Sequence, residues 1–173
     1  MDRRLVILDI DGTLVGTALF RCPLTEDDKQ NADFCIQYSD NENYLYQKRP
    51  GLNEFLERLF ENFRVCVWSD NPRSHILKLV SHIFGSFASR VERIYDENDC
   101  IEVSTGLFSV DRVKPVDKVV KDTGSKCVLI DDKDVTVEYN PGKAIKIPTF
   151  RFEEEERLED DHLKTVFEKI LVF

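Results

Sequence analysis

The feature that most constrains this chain is the stretch Leu5-Val6-Ile7-Leu8-Asp9-Ile10-Asp11-Gly12-Thr13-Leu14. Four consecutive large apolar residues predict a strand buried on both faces, as in the middle of a parallel sheet. The run then ends in two carboxylates spaced i, i+2, followed by a glycine and a hydroxyl. Acids at the tip of the most hydrophobic strand fall where open α/β sheets bind ligands, in the crevice beyond the carboxyl ends of the strands.

Two more runs repeat this design. Val65-Cys66-Val67-Trp68 ends in Ser69-Asp70-Asn71-Pro72, and Cys127-Val128-Leu129-Ile130 ends in Asp131-Asp132. Between them the apolar period changes to that of a helix. Leu52, Phe55, Leu56, Leu59, Phe60 and Phe63 mark one helix, and Ile76, Val80 and Ile83 a second, with Asn71 as its N-cap and Pro72 at its first position. Lys114-Pro115 opens a third, carrying Val116, Val119 and Val120. Leu163, Val166, Phe167 and Ile170 mark a closing helix, and Ala144 to Ile147 a fourth strand. Strands alternating with helices predict an α/β three-layer sandwich with a mostly parallel central sheet.

The remaining segments read as additions to that frame. Residues 15–32, with Pro23 and the polar Thr25-Glu26-Asp27-Asp28, read as loop. Residues 33–48 read as a small β-hairpin insertion and 92–110 as a short β-rich insertion around Ile94-Tyr95 and Ile101-Glu102-Val103. Neither is long enough for a separate lid, so the expected architecture is capless and a single domain spanning 1–173.

Composition excludes several function classes. The formal net charge of -9 argues against a nucleic-acid-binding surface. Residues 151–173 carry eight acidic side chains against four basic ones, and Glu153 to Glu156 read as solvated surface. The five cysteines are odd in number and contain no C-x-x-C pair, which points to free thiols in a reducing compartment. No apolar run approaches membrane-spanning length, and the N-terminus has no signal-peptide pattern. The expected setting is intracellular, cytoplasmic or nuclear, with no membrane and no nucleic-acid partner; the sequence leaves the oligomeric state open.

If the strands are parallel neighbours, Asp9, Asp11, Ser69, Asp131 and Asp132 converge at one sheet edge with Lys114 from a helix start. Clustered carboxylates need a counter-charge, and Mg²⁺ suits a few carboxylates together with waters and phosphate oxygens. These parts fit phosphoryl transfer. Asp9 would be the nucleophile, forming an aspartyl-phosphate. Asp11 would act as general acid and then general base. Gly12 would let the backbone turn beside the phosphate, Thr13 and Ser69 would donate to its oxygens, and Lys114 with Mg²⁺ would neutralise the site. A calcium loop is excluded because Leu14 and Phe20 occupy the positions where an EF-hand needs Gly and Glu. A phospho-receiver domain is disfavoured because its acidic pair belongs on the first strand.

Asp9-x-Asp11-Gly12-Thr13, Ser69, Lys114-Pro115 and Asp131-Asp132, in that order, resemble the four motifs of the haloacid dehalogenase superfamily. Within it the chain is similar to the small phosphatases of the RNA polymerase II C-terminal domain. Asn31-Ala32-Asp33-Phe34, Lys48-Arg49-Pro50, Glu54-Phe55-Leu56, Ile130-Asp131-Asp132-Lys133 and Asn140-Pro141 extend the likeness along nearly the whole chain. The resemblance implies a phosphorylated protein or peptide substrate. It also implies Mg²⁺ held by Asp9, the Asp11 carbonyl and the second residue of the Asp131-Asp132 pair, and phosphate bound by Lys114 and Ser69; on the residues themselves Asp131 reads as orienting the others, with Asp132 the favoured direct ligand. Two departures stand out: Gly12 replaces a Glu or Gln frequent in that group, and Trp-Thr-Ala-Ser reads Trp68-Ser69-Asp70-Asn71 here. Two other readings remain: a phosphatase for polynucleotide ends or small metabolites, and a non-catalytic phosphopeptide-binding protein on the same fold.

Overall fold

The computed structural model describes residues 4–106, 109–152 and 159–173. The elements run β1 (Leu5–Leu8), β2 (Val15–Phe20), α1 (Glu26–Gln30), β3 (Phe34–Ser39), β4 (Glu42–Lys48), α2 (Leu52–Asn62), β5 (Arg64–Trp68) and α3 (Arg73–Phe84). They continue through β6 (Arg93–Tyr95), β7 (Ile101–Ser104), β8 (Val110–Val113), α4 (Val116–Thr123), β9 (Cys127–Asp131), α5 (Asp134–Tyr139), β10 (Ala144–Lys146) and α6 (His162–Val172).

Five strands form a central sheet in the order β10-β9-β1-β5-β6, every neighbouring pair parallel. The hydrophobic first strand lies in the middle, as its unbroken apolar run requires, since both its faces must be covered. Val6 and Leu8, with Val65, Val67, Val128 and Ile130, pack toward the apolar stripes of α2, α3 and α6. Leu5 and Ile7, with Cys66, Trp68 and Leu129, face the other way onto Val116 and Val119 of α4. Helices therefore cover both faces. Because Leu8 pairs with Val67 on one side and Ile130 on the other, β1, β5 and β9 run out at the same edge. Asp9, Ser69 and Asp131 consequently emerge side by side.

Residues 15–32 are not a loop. Val15–Phe20 pair along their whole length with β4, making the 33–48 hairpin the outer part of a three-stranded antiparallel sheet, β2-β4-β3. The signal is weak because this strand is short, only half covered and interrupted by Gly16. A Cβ on Gly16 would lie 2.6 Å from the Arg151 and Phe152 backbone, so glycine is what allows the closing segment to pass. The polar cluster that follows is a capping box: the Thr25 side chain accepts from the Asp28 amide while Asp28 reaches back to the Thr25 amide, starting α1. The 92–110 segment also divides. Residues 93–95 form the edge strand of the central sheet, and only the β7–β8 hairpin stands apart from it.

Helix α3 begins one residue later than its sequence signal, with Pro72 at the cap and no side-chain cap bond. Asn71 is thereby released for the contacts described below. The run Glu153 to Glu156 lies outside the described residues. No helix among the described residues is long and apolar enough to cross a membrane.

Candidate active site

Asp9 leaves β1 at the sheet edge with its backbone amide bonded to the Ile130 carbonyl at 3.0 Å. Its carboxylate is buried and gripped on both oxygens. Oδ1 accepts from the Lys114 ammonium, and Oδ2 accepts from the Thr13 hydroxyl at 2.8 Å. The same ammonium donates to Asp131 Oδ2 at 2.7 Å, and Asp131 Oδ1 accepts from the Lys133 backbone amide at 2.8 Å. Both oxygens of Asp131 are thus occupied. Asp132, the next residue, presents the opposite situation: its Oδ1 is buried with no hydrogen-bond partner.

Asp9, Asp131 and Asp132 each place a carboxylate oxygen within 4.8 Å of the others. Asp9 and Asp131 share the Lys114 ammonium, and Asp132 adds a third carboxylate beside them, a grouping whose like charges oppose one another. Burial, reinforced by the charges of Asp131 and Asp132, raises the Asp9 carboxyl well above its ordinary range despite the opposing pull of Lys114. Burial also opposes the charge on Lys114, but Asp9 and Asp131 outweigh it and push the ammonium above its ordinary value. A lysine so held stays protonated and acts as a fixed positive charge.

Gly12 turns the chain immediately after these acids with φ of 77°. A Cβ there would meet Asp132 Oδ2 at 2.3 Å. The glycine therefore makes room for a carboxylate rather than offering an amide to a ligand; its N–H already donates to the Val15 carbonyl at 2.8 Å. Thr13, anticipated at the phosphate, instead commits its hydroxyl hydrogen to Asp9.

Asp11 has hydrogen-bond partners of its own. Oδ1 accepts from the Thr17 hydroxyl at 2.6 Å and Oδ2 from the Asn71 side-chain amide at 2.8 Å. Burial raises its carboxyl above the ordinary value, with the Thr17 bond pulling the other way. Its side chain is outside the three-carboxylate cluster. Asp11, Gly12, Thr17 and Asp132 line a cleft of about 540 Å³ on the surface side of the site. Ser69, at the end of β5, is buried, and its oxygen accepts from the Asn71 backbone and side-chain nitrogens at 3.3 and 3.0 Å.

Sequence reasoning missed three contributors. Asn71 and Thr17 hold Asp11. Arg49 is buried and donates to the Thr13 carbonyl at 3.0 Å, to the Pro148 carbonyl at 2.8 Å and bidentately to Asp160. It ties the loop after β1 to the segments before α2 and α6. Only a clue to Arg49 was legible, in the Lys48-Arg49-Pro50 triplet; the other two act across elements and carry no local signature. His75 on α3 is also buried, with Tyr38 and Tyr46 hydroxyls at its two ring nitrogens.

The chain is 24% identical over 190 residues to a CTD phosphatase-like protein, 355R, of Invertebrate iridescent virus 3, covering 99% of this chain and 97% of the relative. Among solved structures it is similar to fission yeast RNA polymerase II CTD phosphatase Fcp1, in a variant bound to beryllium fluoride, with a TM-score of 0.59, 21% identity and 98% of this chain covered. A second Fcp1 structure gives a TM-score of 0.62 at 20% identity and the same 98% coverage. The chain spans 51% and 48% of those two structures, about half of their length. These likenesses show the fold alone, a mixed α/β fold around a parallel sheet that this chain shares with the Fcp1 structures. Residues 4–171 match the sequence model of the NLI interacting factor-like phosphatases, and the chain belongs to that family.

Proposed function

We propose that the protein is a Mg²⁺-dependent phosphomonoesterase that works through an aspartyl-phosphate on Asp9 and acts on phosphorylated protein, phosphoserine first. The observation that carries this reading is the buried Asp9 carboxylate held between Lys114 and Thr13, with Asp11 held separately at the mouth of the cleft.

The metal fits the residues present. The donor set is all oxygen, three carboxylates lie within 4.8 Å of one another, and a buried Asp132 oxygen has no partner. Asp9, Asp132 and the Asp11 backbone carbonyl would hold it, Asp131 being spent on Lys114 and the Lys133 amide. Bound there, Mg²⁺ supplies positive charge that offsets the repulsion between Asp9 and a phosphate dianion.

The chain's own groups then divide the work. Lys114 favours the ionised form of Asp9 against the effect of burial and aims it, and with Ser69 it binds phosphate oxygens. A carboxylate oxygen of Asp9 forms a bond to phosphorus as the bond to the leaving oxygen breaks, and protonated Asp11 transfers its proton to that oxygen. Asp11, now a carboxylate, takes a proton from a water as the water oxygen attacks phosphorus. The Asp9–phosphorus bond breaks and inorganic phosphate leaves, restoring both carboxyl groups. The raised carboxyl of Asp11 suits a group that must be an acid in the first step and a base in the second.

The protein substrate is supported by the surface-open cleft and by the name of the viral relative that covers the whole chain. The decisive test uses para-nitrophenyl phosphate with Mg²⁺ for wild type and Asp9→Asn. Wild type is expected to release phosphate, EDTA to stop it, and the variant to lose activity by several orders of magnitude. A phosphoserine peptide, a sugar phosphate and a 3′-phosphorylated oligonucleotide then separate substrate classes. Faster turnover of the sugar phosphate or oligonucleotide than of the peptide overturns the protein assignment; full activity in Asp9→Asn overturns the mechanism.

A further inference from the structure

We propose that Asn71 is a positioning residue that aligns the proton-transfer carboxylate and the phosphate-binding hydroxyl through one side-chain amide. The proposal rests on the phosphatase reading given above.

The side-chain nitrogen of Asn71 has two hydrogens, and both are spent inside the site. One goes to Asp11 Oδ2 at 2.8 Å and the other to Ser69 Oγ at 3.0 Å. A serine oxygen accepts two hydrogen bonds and donates one. The Asn71 backbone amide, at 3.3 Å, supplies the second bond that Ser69 accepts. With its acceptor capacity filled by Asn71, Ser69 has only its hydrogen left to offer. The hydroxyl is thereby set as a donor, the role a phosphate oxygen requires.

The effect on Asp11 is complementary. An amide nitrogen donates and cannot accept, so Oδ2 keeps an acceptor role toward Asn71 in either protonation state. The Thr17 hydroxyl on Oδ1 can rotate, donating to a carboxylate or accepting from a carboxylic acid. The pair holds the plane of the carboxyl group while leaving one side free to exchange a proton. Asn71 is itself anchored, because its backbone carbonyl accepts from the Glu97 amide at 3.2 Å. The ordinary explanation of an Asn at a helix start fails here: α3 has its cap at Pro72 and no side-chain cap bond.

The test compares Asn71→Ala and the near-isosteric Asn71→Asp with wild type, using the full chain with Mg²⁺. Substrates are para-nitrophenyl phosphate, whose leaving group departs readily as an anion, and phenyl phosphate and a phosphoserine peptide, whose leaving oxygens need a proton. Both variants are expected to lose about tenfold more kcat/KM on the two poor leaving groups than on para-nitrophenyl phosphate, a part of the 10²–10⁴ that general acid catalysis supplies. Inhibition by inorganic phosphate is expected to weaken several-fold in Asn71→Ala, because Ser69 loses its fixed orientation. Unfolding midpoints measured alongside separate this from loss of fold.

Equal losses on all three substrates, or no loss, overturn the positioning role while leaving the phosphatase intact. A wild type inactive on every substrate overturns the phosphatase reading and this inference with it.

Discussion

Gly12 shows how much a single position can decide. Its φ of 77° costs an L-residue about 1–2 kcal/mol. An added methyl would also meet the Asp132 carboxylate at 2.3 Å, so that carboxylate must shift from its place. Gly12→Ala is therefore predicted to destabilise the fold by about 1–2 kcal/mol in denaturant unfolding and, separately, to raise the Mg²⁺ concentration needed for half-maximal phosphatase activity. A variant with the wild-type metal requirement would show that Asp132 is not a ligand. At this scale the acids, Lys114 and Ser69 were legible because each ends a strong apolar run or opens a helix, where a polar residue has few reasons to be. Asn71 and Thr17 were not legible. Their significance is a distance to Asp11 across 60 and 6 positions; residue type suggested a helix cap for Asn71, and Thr17 fell inside a stretch read as loop. The partners of Gly12 and Thr13 were illegible for a related reason: nothing local in the sequence shows that the Gly12 amide bonds Val15, that its missing Cβ leaves room for Asp132, or that the Thr13 hydroxyl bonds Asp9.

At the scale of elements, the ends of β5 and β9 are joined by an ion pair, Lys133 to Asp70 at 2.5 Å. Burial works against the Asp70 carboxylate, but Lys133 outweighs it and holds the carboxyl below its ordinary value; Lys133 is correspondingly held above its own. A depressed carboxyl contributes stability that is present above its unfolded value, about pH 4, and is lost as pH falls through its folded one. Both side chains are about a third or more exposed, so the pair is worth under about 1 kcal/mol. Lys133→Met is predicted to lower the unfolding midpoint slightly near neutral pH, with the difference from wild type closing once Asp70 is protonated. A gap that persists unchanged in acid would assign the effect to packing instead. Elements differed in legibility for a physical reason. β1, β5 and β9 are buried on both faces and so write an uninterrupted apolar signal. β2 is half covered and broken by Gly16, and α1 has no buried residue at all; each depends on partners or caps rather than on pattern. β6 was read as part of an insertion because three residues carry too little periodicity to reveal which sheet they join.

For the whole molecule, the two apolar layers are unequal, and the site sits where they meet. The face toward α2, α3 and α6 is thick, whereas α4, of 8 residues, covers the other with Val116 and Val119 over Cys66, Trp68 and Cys127. Lys114 leads directly into α4, so the ammonium that holds Asp9 and Asp131 also fastens this thin layer to the sheet. The cysteines can report on it. Burial pushes the Cys66 thiol up to about 12 and the Cys127 thiol up to about 11, so neither forms thiolate near neutral pH without opening. Cys22 and Cys35 are exposed. Iodoacetamide labelling read by mass spectrometry is predicted to modify Cys22 and Cys35 in the native protein and Cys66 and Cys127 only through opening. A phosphate mimic that binds the closed site must slow that opening by linkage. Mg²⁺ with beryllium fluoride at about 100 times its dissociation constant stabilises by about 2.7 kcal/mol, which is about a hundredfold in rate. Labelling of Cys66 and Cys127 is therefore expected to slow by up to that factor while Cys35 is unaffected. If the buried thiols react as fast as Cys35, α4 does not seal its face. If they are slow but indifferent to the mimic, the layer opens without releasing Lys114, and the coupling between site and core fails.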